Sequence, residues 1–229
     1  MADFFSEVEQ DYRRDQAIKL WKRYQNWILA AAILVILGTA AWRINVYFRD
    51  KVEAAAGGRY EAALQLLRDG KTAEAITAFN ALGKDAPKGY MALARLVSAD
   101  ETAVKDPKAG IKAYDAIVAD PVLNPRLRAV ARLRAAYLRV DIDTAKQFER
   151  RYLAFAGPGE PYANSFRELL ALAALKSGDE KSAGRWLDDI VTDPAAPDAL
   201  RRRADAFLGL VQAGKLSDKM LPDKALPKK

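Results

Sequence analysis

The chain has 229 residues, 37 Lys plus Arg against 30 Asp plus Glu, and neither His nor Cys. Without imidazole or thiol, Ser/His/Asp and Cys/His nucleophilic catalysis, haem ligation, iron–sulfur clusters, disulfides and the usual zinc cages are excluded. The net charge of +7 is dispersed: seven cations face five carboxylates in residues 1–49, five face two in 215–229, and only +2 is left on 50–214. A nucleic-acid module gathers its basic residues on one folded face, so no nucleic-acid partner is expected.

Residues 1–23 mix Phe4, Phe5, Val8, Tyr12, Ile18 and Leu20 with charges. They suit an amphipathic helix lying on a membrane face, a docking element, or a plain helical extension of the apolar segment after them. Tyr24 to Trp42 is 19 residues without a formal charge. At ~1.5 Å per residue it reaches about 28 Å, close to the ~30 Å of a hydrocarbon core. A single transmembrane helix is predicted at 24–48, with Trp21, Tyr24 and Trp27 at one headgroup level and Trp42, Tyr47 and Phe48 at the other. The rivals are a buried core helix and a cleaved signal peptide, for which Thr39-Ala40-Ala41 would supply the cut. The apolar run exceeds the ~7 to 15 residues of a signal core, which favours a retained anchor. Lys19, Lys22 and Arg23 crowd its leading edge, placing the N-terminus in the cytoplasm and exporting the body. Ala30, Ala31, Ala32, Gly38, Ala40 and Ala41 are small enough for the span itself to pack on another helix.

Beyond residue 49 the pattern is helical and repeats. Thr72 to Phe79, Pro107 to Tyr114, Asp143 to Phe148 and Glu180 to Leu187 align, each followed by a break at Asp85-Ala86-Pro87, Asp120-Pro121, Gly157-Pro158-Gly159 or Asp193-Pro194. Proline fixes φ and stops a helix at each break. Between them lie further helical runs at Arg59–Asp69, Lys88–Ser98, Arg126–Val140, Tyr162–Lys176 and Asp198–Gln212. The unit is a helical hairpin of the tetratricopeptide period, with Gly70, Ala75, Phe79, Leu82 and Pro87 in that family's spacing. The middle repeats are degenerate, with Pro107 in a turn position and Gly110 on a helix.

The expected fold is all-α: one N-terminal transmembrane helix, then a solenoid of degenerate TPR-like hairpins over 49–214 whose first helices line a concave face. Ala75, Phe79, Tyr114, Phe148, Ala183 and Trp186 are expected to pack between hairpins. Asp198–Gln212, with Arg201, Arg202, Arg203 and Asp205 outward, is expected to cap the stack. Gly57-Gly58 is expected to release the span into the first repeat helix, and 215–229 to form a disordered basic tail.

Chemical motifs do not assemble. Gly70-Lys71-Thr72 resembles the end of a phosphate loop, but Gln65 stands where that loop needs Gly. Gly157-Pro158-Gly159 lacks the strand and helix of a dinucleotide fingerprint, and Asp141, Asp143, Asp188 and Asp189 lack calcium-loop spacing. No cofactor, metal, small-molecule substrate or catalysis is expected.

An N-terminal span preceded by Arg13-Arg14-Asp15-Gln16-Ala17-Ile18-Lys19-Leu20-Trp21-Lys22-Arg23-Tyr24 and followed by degenerate hairpins resembles the bacterial TPR-like family of the YfgM ancillary translocon subunit. The resemblance implies an inner-membrane protein with periplasmic repeats that associates with the Sec translocon, periplasmic chaperones and exported clients. Tyr60, Tyr90, Arg95, Arg132, Tyr137 and Arg167, on first helices, are expected to line a protein-binding groove. The alternative is an assembly factor or accessory subunit that binds a membrane complex through the span.

Overall fold

The computed structural model describes residues 3–220, with side chains at 18, 19 and 21–213. The described residues contain no strand, and the chain falls into two compact units, Met1–Ala55 and Ala56–Lys229.

In the first unit the backbone belongs to helix α1 (Asp3–Arg68). Its apolar side chains are exposed all round, from Trp27 (75%) and Leu29 to Leu34 (72%), Ile36 and Leu37. Over 24–42 of this unit the helix is apolar on every side and has no amphipathic stripe to bury against a core. By length and composition, α1 is the one helix among the described residues able to cross a membrane, with a mean hydropathy of 2.0 in its most apolar window.

The second unit is built from helix pairs. The last turns of α1 pair with α2 (Thr72–Asp85), α3 (Lys88–Lys105) with α4 (Pro107–Ala119), α5 (Pro125–Ile142) with α6 (Ala145–Tyr152), and α7 (Ala163–Lys176) with α8 (Glu180–Thr192), before α9 (Asp198–Met220) closes the series. Local chemistry sets the ends. Asp106 caps α4 by accepting from the Lys108 and Ala109 N–H groups, with Pro107 at the first helical position. Asn124 and Pro125 start α5 in the same way, and Thr144 with Gln147 forms a capping box on α6. Pro107 is therefore a helix start. Gly70 (φ +75°) and Gly178 (φ +78°) end α1 and α7 in the left-handed conformation, where the following N–H groups reach back to Leu66 and Ala174 carbonyls.

Two expectations about boundaries fail. Gly57-Gly58 does not break the chain: α1 continues through both, and Gly57 allows the Tyr90 hydroxyl to approach to 2.8 Å of where a Cβ would stand. Helix α9 also runs to Met220, into the segment assigned to a disordered tail; the rest of that segment, 221–229, lies outside the described residues.

Packing follows the fourth and eighth residues of each second helix. The fourth is Ala75, Gly110 and Ala183 in α2, α4 and α8, all buried. The eighth is Phe79, Tyr114 and Leu187, all 3% exposed or less. Small residues let the paired helices close, and the large ones fill the space toward the next pair. At Gly110 the approach is tightest, since a Cβ would lie 2.6 Å from Ala103 Cα. Helix α6 departs from this rule. Its fourth residue is Phe148, fully buried, and its eighth is Tyr152, so an aromatic stands where its counterparts carry Ala or Gly. Phe148, Tyr152, Phe166 and Phe155 form one aromatic cluster, and α5 packs directly on α7. In α8 it is Leu187 that fills the core position, while Trp186 is only half-buried.

Candidate protein-interaction site

The six groove residues have different surroundings. Tyr60 stacks edge-on against Phe79 with centroids 5.4 Å apart and lies 6.0 Å from Tyr90, so both tyrosines cover the first hairpin's core. Burial, followed by the nearby Asp100 and Glu61 carboxylates, raises the Tyr60 phenol above its usual range. Tyr137 is exposed. The three arginines fall on a repeating position that also includes Arg59, and their contacts show what that position does.

Arg59 reaches Asp85 at 3.1 Å, Arg95 reaches Asp120 at 2.6 Å, and Arg167 reaches Asp193 at 2.8 Å. The separations along the chain are 26, 25 and 26 residues. In each case an arginine of the first helix holds an aspartate at the end of its own second helix. Arg95 and Arg167 also donate Nε–H to a carbonyl of the preceding pair, Gly83 and Ala156, both at 2.9 Å. These rungs therefore join neighbouring hairpins. The Val122 N–H and then the Arg95 guanidinium hold the Asp120 carboxyl below the usual range. The Ala195 N–H, the Asn164 amide and Arg167 do the same for Asp193. Arg95 and Arg167, chosen for ligand contact, are thus committed to internal pairs.

Arg132 occupies the same position in the third pair, but the matching stretch there is Gly157-Pro158, which carries no carboxylate. Its guanidinium lies 4.2 Å from the Phe155 ring centroid and makes no hydrogen bond or ion pair among the described residues. Burial and then the neighbouring Arg128 push its pKa down, with Glu160 opposing.

Other charged contacts tie consecutive pairs together. Asp100 accepts from both the Tyr114 hydroxyl and Arg134, and Arg139 pairs with Asp115. The cap helix is more engaged than expected: Arg203 donates to Glu168 at 2.7 and 2.8 Å, and Arg201 reaches the Ala196 carbonyl at 2.9 Å.

Trp186, expected to pack between hairpins, packs half-buried against the cores of the third and fourth pairs and also lines two open clefts of about 590 and 600 Å³. Leu153, Pro158 and Pro194 wall one; Ala145, Leu170 and Ala174 wall the other. No group of three or more His, Cys, Asp or Glu side chains suitable for a metal occurs among the described residues. Sequence reading missed the aspartate half of the rungs, taking Asp85, Asp120 and Asp193 as parts of helix breaks. The recurring Arg-to-Asp distance of 25 or 26 residues was the signal available.

Serial helix pairs, three of the four with a small residue at the crossing, define a helical-repeat protein, a class that works by presenting surfaces to other proteins. The family model for the tetratricopeptide repeat-like domain matches residues 19–151, over half of the chain, and the chain belongs to that family. No curated protein and no solved structure matches it. The match ends at Arg151, and α7 to α9 continue the helical pattern beyond it.

Proposed function

We propose that this is a membrane-anchored protein-interaction module that holds polypeptide or a partner subunit close to the bilayer. The observation that carries this reading is the TPR-like array in a chain whose α1 exposes apolar side chains on every side. Segment 24–48 spans the membrane, and the cations at 19, 22 and 23 keep the N-terminus cytoplasmic. By the resemblance drawn from the sequence, the membrane is a bacterial inner membrane and the repeats are periplasmic. The Sec translocon, periplasmic chaperones and exported clients are then the partners. Tethering supports weak binding, because confinement near one site raises effective concentration to roughly mM for short linkers.

Crosslinking in intact cells followed by co-purification tests this reading: translocon subunits or exported polypeptides should be recovered with the full-length chain. Recovery of neither, with the span intact, removes the translocon assignment. A reporter fused at the C-terminus fixes the side of the membrane, and a cytoplasmic signal overturns the periplasmic placement.

A second reading rests on the exposed small residues Ala30, Ala31, Ala32 and Gly38 of α1. They suit an accessory subunit that contacts a membrane complex through the helix itself. Exchange of 24–48 for an unrelated span separates the two, since function kept favours the repeats and function lost favours the helix.

A further inference from the structure

The rung in the third hairpin is incomplete. We propose that Arg132, together with Arg128, is a docking site for acidic side chains of a bound polypeptide, which supply the carboxylate that the chain itself supplies in the other hairpins. This deepens the protein-interaction reading by placing a contact and naming its chemistry.

Three observations converge on it. Rungs one, two and four close on Asp85, Asp120 and Asp193, so this position on a first helix is one from which an arginine meets a carboxylate. In the third pair the chain offers Gly157-Pro158 instead, and the nearby Glu160, whose charge acts on Arg132, forms no hydrogen bond or ion pair with it among the described residues. Helix α5 also carries five arginines and one carboxylate within Pro125–Ile142, inside a segment (50–214) whose net charge is only +2. Arg134 and Arg139 of that helix are neutralised by Asp100 and Asp115. The remaining guanidinium groups have no ion pair among the described residues, and Arg128 Nε is buried without any hydrogen-bond partner.

Arg128 and Arg132 are four residues apart on one helix face, where two like charges destabilise each other until an anion sits between them. Phe155 beneath Arg132 keeps the guanidinium plane in place, at 4.2 Å, so little rotamer freedom is lost on binding. Phosphate would satisfy the charge as well, but the site lies in a TPR-like array, whose surfaces engage other proteins, and that favours an acidic protein segment over a lipid surface.

The test uses the full-length protein in phosphatidylcholine nanodiscs and fluorescence anisotropy of a labelled, C-terminally amidated peptide of alternating Glu and Ser. The wild type should bind it more weakly as salt rises. Arg132→Gln should weaken binding about tenfold, the loss expected for one charge-assisted hydrogen bond. Pro158→Asp, which restores the missing carboxylate, should weaken it similarly while leaving the thermal midpoint unchanged or raised; this keeps the test decisive if Arg132→Gln fails to fold. Equal affinity in the wild type and Pro158→Asp overturns the proposal. It is also overturned if only a neutral peptide with a free C-terminus binds, or if anionic lipid binds in an Arg132-dependent way and the acidic peptide does not.

Discussion

The second and third hairpins solve the same packing problem with different residues. In the second, α3 and α4 approach so closely that Gly110 faces Ala103 with no room for a Cβ, and Tyr114 and Ile117 fill the outer space. In the third, Phe148 stands in the glycine position, α6 is only 8 residues long, α5 packs directly on α7, and an aromatic cluster from α6 and α7 fills the space beside them. One pair is held by closeness and the other by a plug. The difference extends to the charges, because the second pair closes its Arg95–Asp120 rung and the third leaves Arg132 on a ring. A repeat need not conserve its residues to conserve its stacking, provided that the volume between helices is filled.

The most severe way to break this contrast is Phe148→Ala. Removing a fully buried phenyl group from the plug should cost about 3–5 kcal/mol in urea unfolding followed by circular dichroism. A cost below about 1 kcal/mol would mean that α5 and α7 hold the third pair without it.

Gly110→Ala comes next. Alanine improves helix propensity by about 1 kcal/mol, yet overpacking against Ala103 costs about 1–3 kcal/mol, so net destabilisation is expected. Gly58→Ala and Gly209→Ala, where nothing lies within 4 Å of the new Cβ, should instead stabilise, by up to about 1 kcal/mol. The same urea titration compares all three, and a stabilised Gly110→Ala would show that α3 and α4 separate readily.

The rungs should differ in worth. Arg167 and Asp193 are 11% and 23% exposed, whereas Arg59 and Asp85 are 48% and 61% exposed. Solvent and salt screen the second pair far more. Asp193→Ala should therefore lower the thermal midpoint clearly and Asp85→Ala hardly at all, as read by calorimetry. Acid weakens the second and fourth rungs. The depressed Asp120 and Asp193 carboxyls contribute stability that is present above the unfolded carboxylate range and is lost as pH falls through their lower folded values.

A last effect is confined to the alkaline end. Burial pushes the Tyr152 phenol in the plug up to about 12 from 10.0. Its contribution is complete below pH 10 and declines as pH rises toward 12, because the unfolded chain ionises first. Tyr152→Phe should flatten the stability curve across that window in urea titrations at stepped pH, and an unchanged slope would refute this role for the phenol.

Much of the architecture was legible as spacing. Proline breaks with Asp or Gly marked the helix ends, and Ala75, Phe79 and Ala183 lie at the crossings where a hairpin repeat requires them. The errors have physical causes. Gly57-Gly58 carries a strong local preference against helix, but tertiary packing against Tyr90 overrides propensity differences of about 1 kcal/mol per residue. Gly110 read as degeneracy because a sequence does not show how near the next backbone lies. Trp186 and Leu187 are adjacent, and only the rotation of α8 puts Leu187 inward and leaves Trp186 half-exposed.

The candidate site was less legible. The sequence selected Arg95, Arg132 and Arg167 as equals, on the first helices of successive hairpins, and nothing local separates them. What the amino-acid sequence alone determined was the helical periodicity, the apolar segment and the punctuation of the repeats, since these depend on residues within one or two turns of each other. Which arginines are committed and which is open depended on aspartates 25 or 26 residues away. Ion pairs and hydrogen bonds form only when their groups come within a few ångströms, so that choice was made when the helices packed.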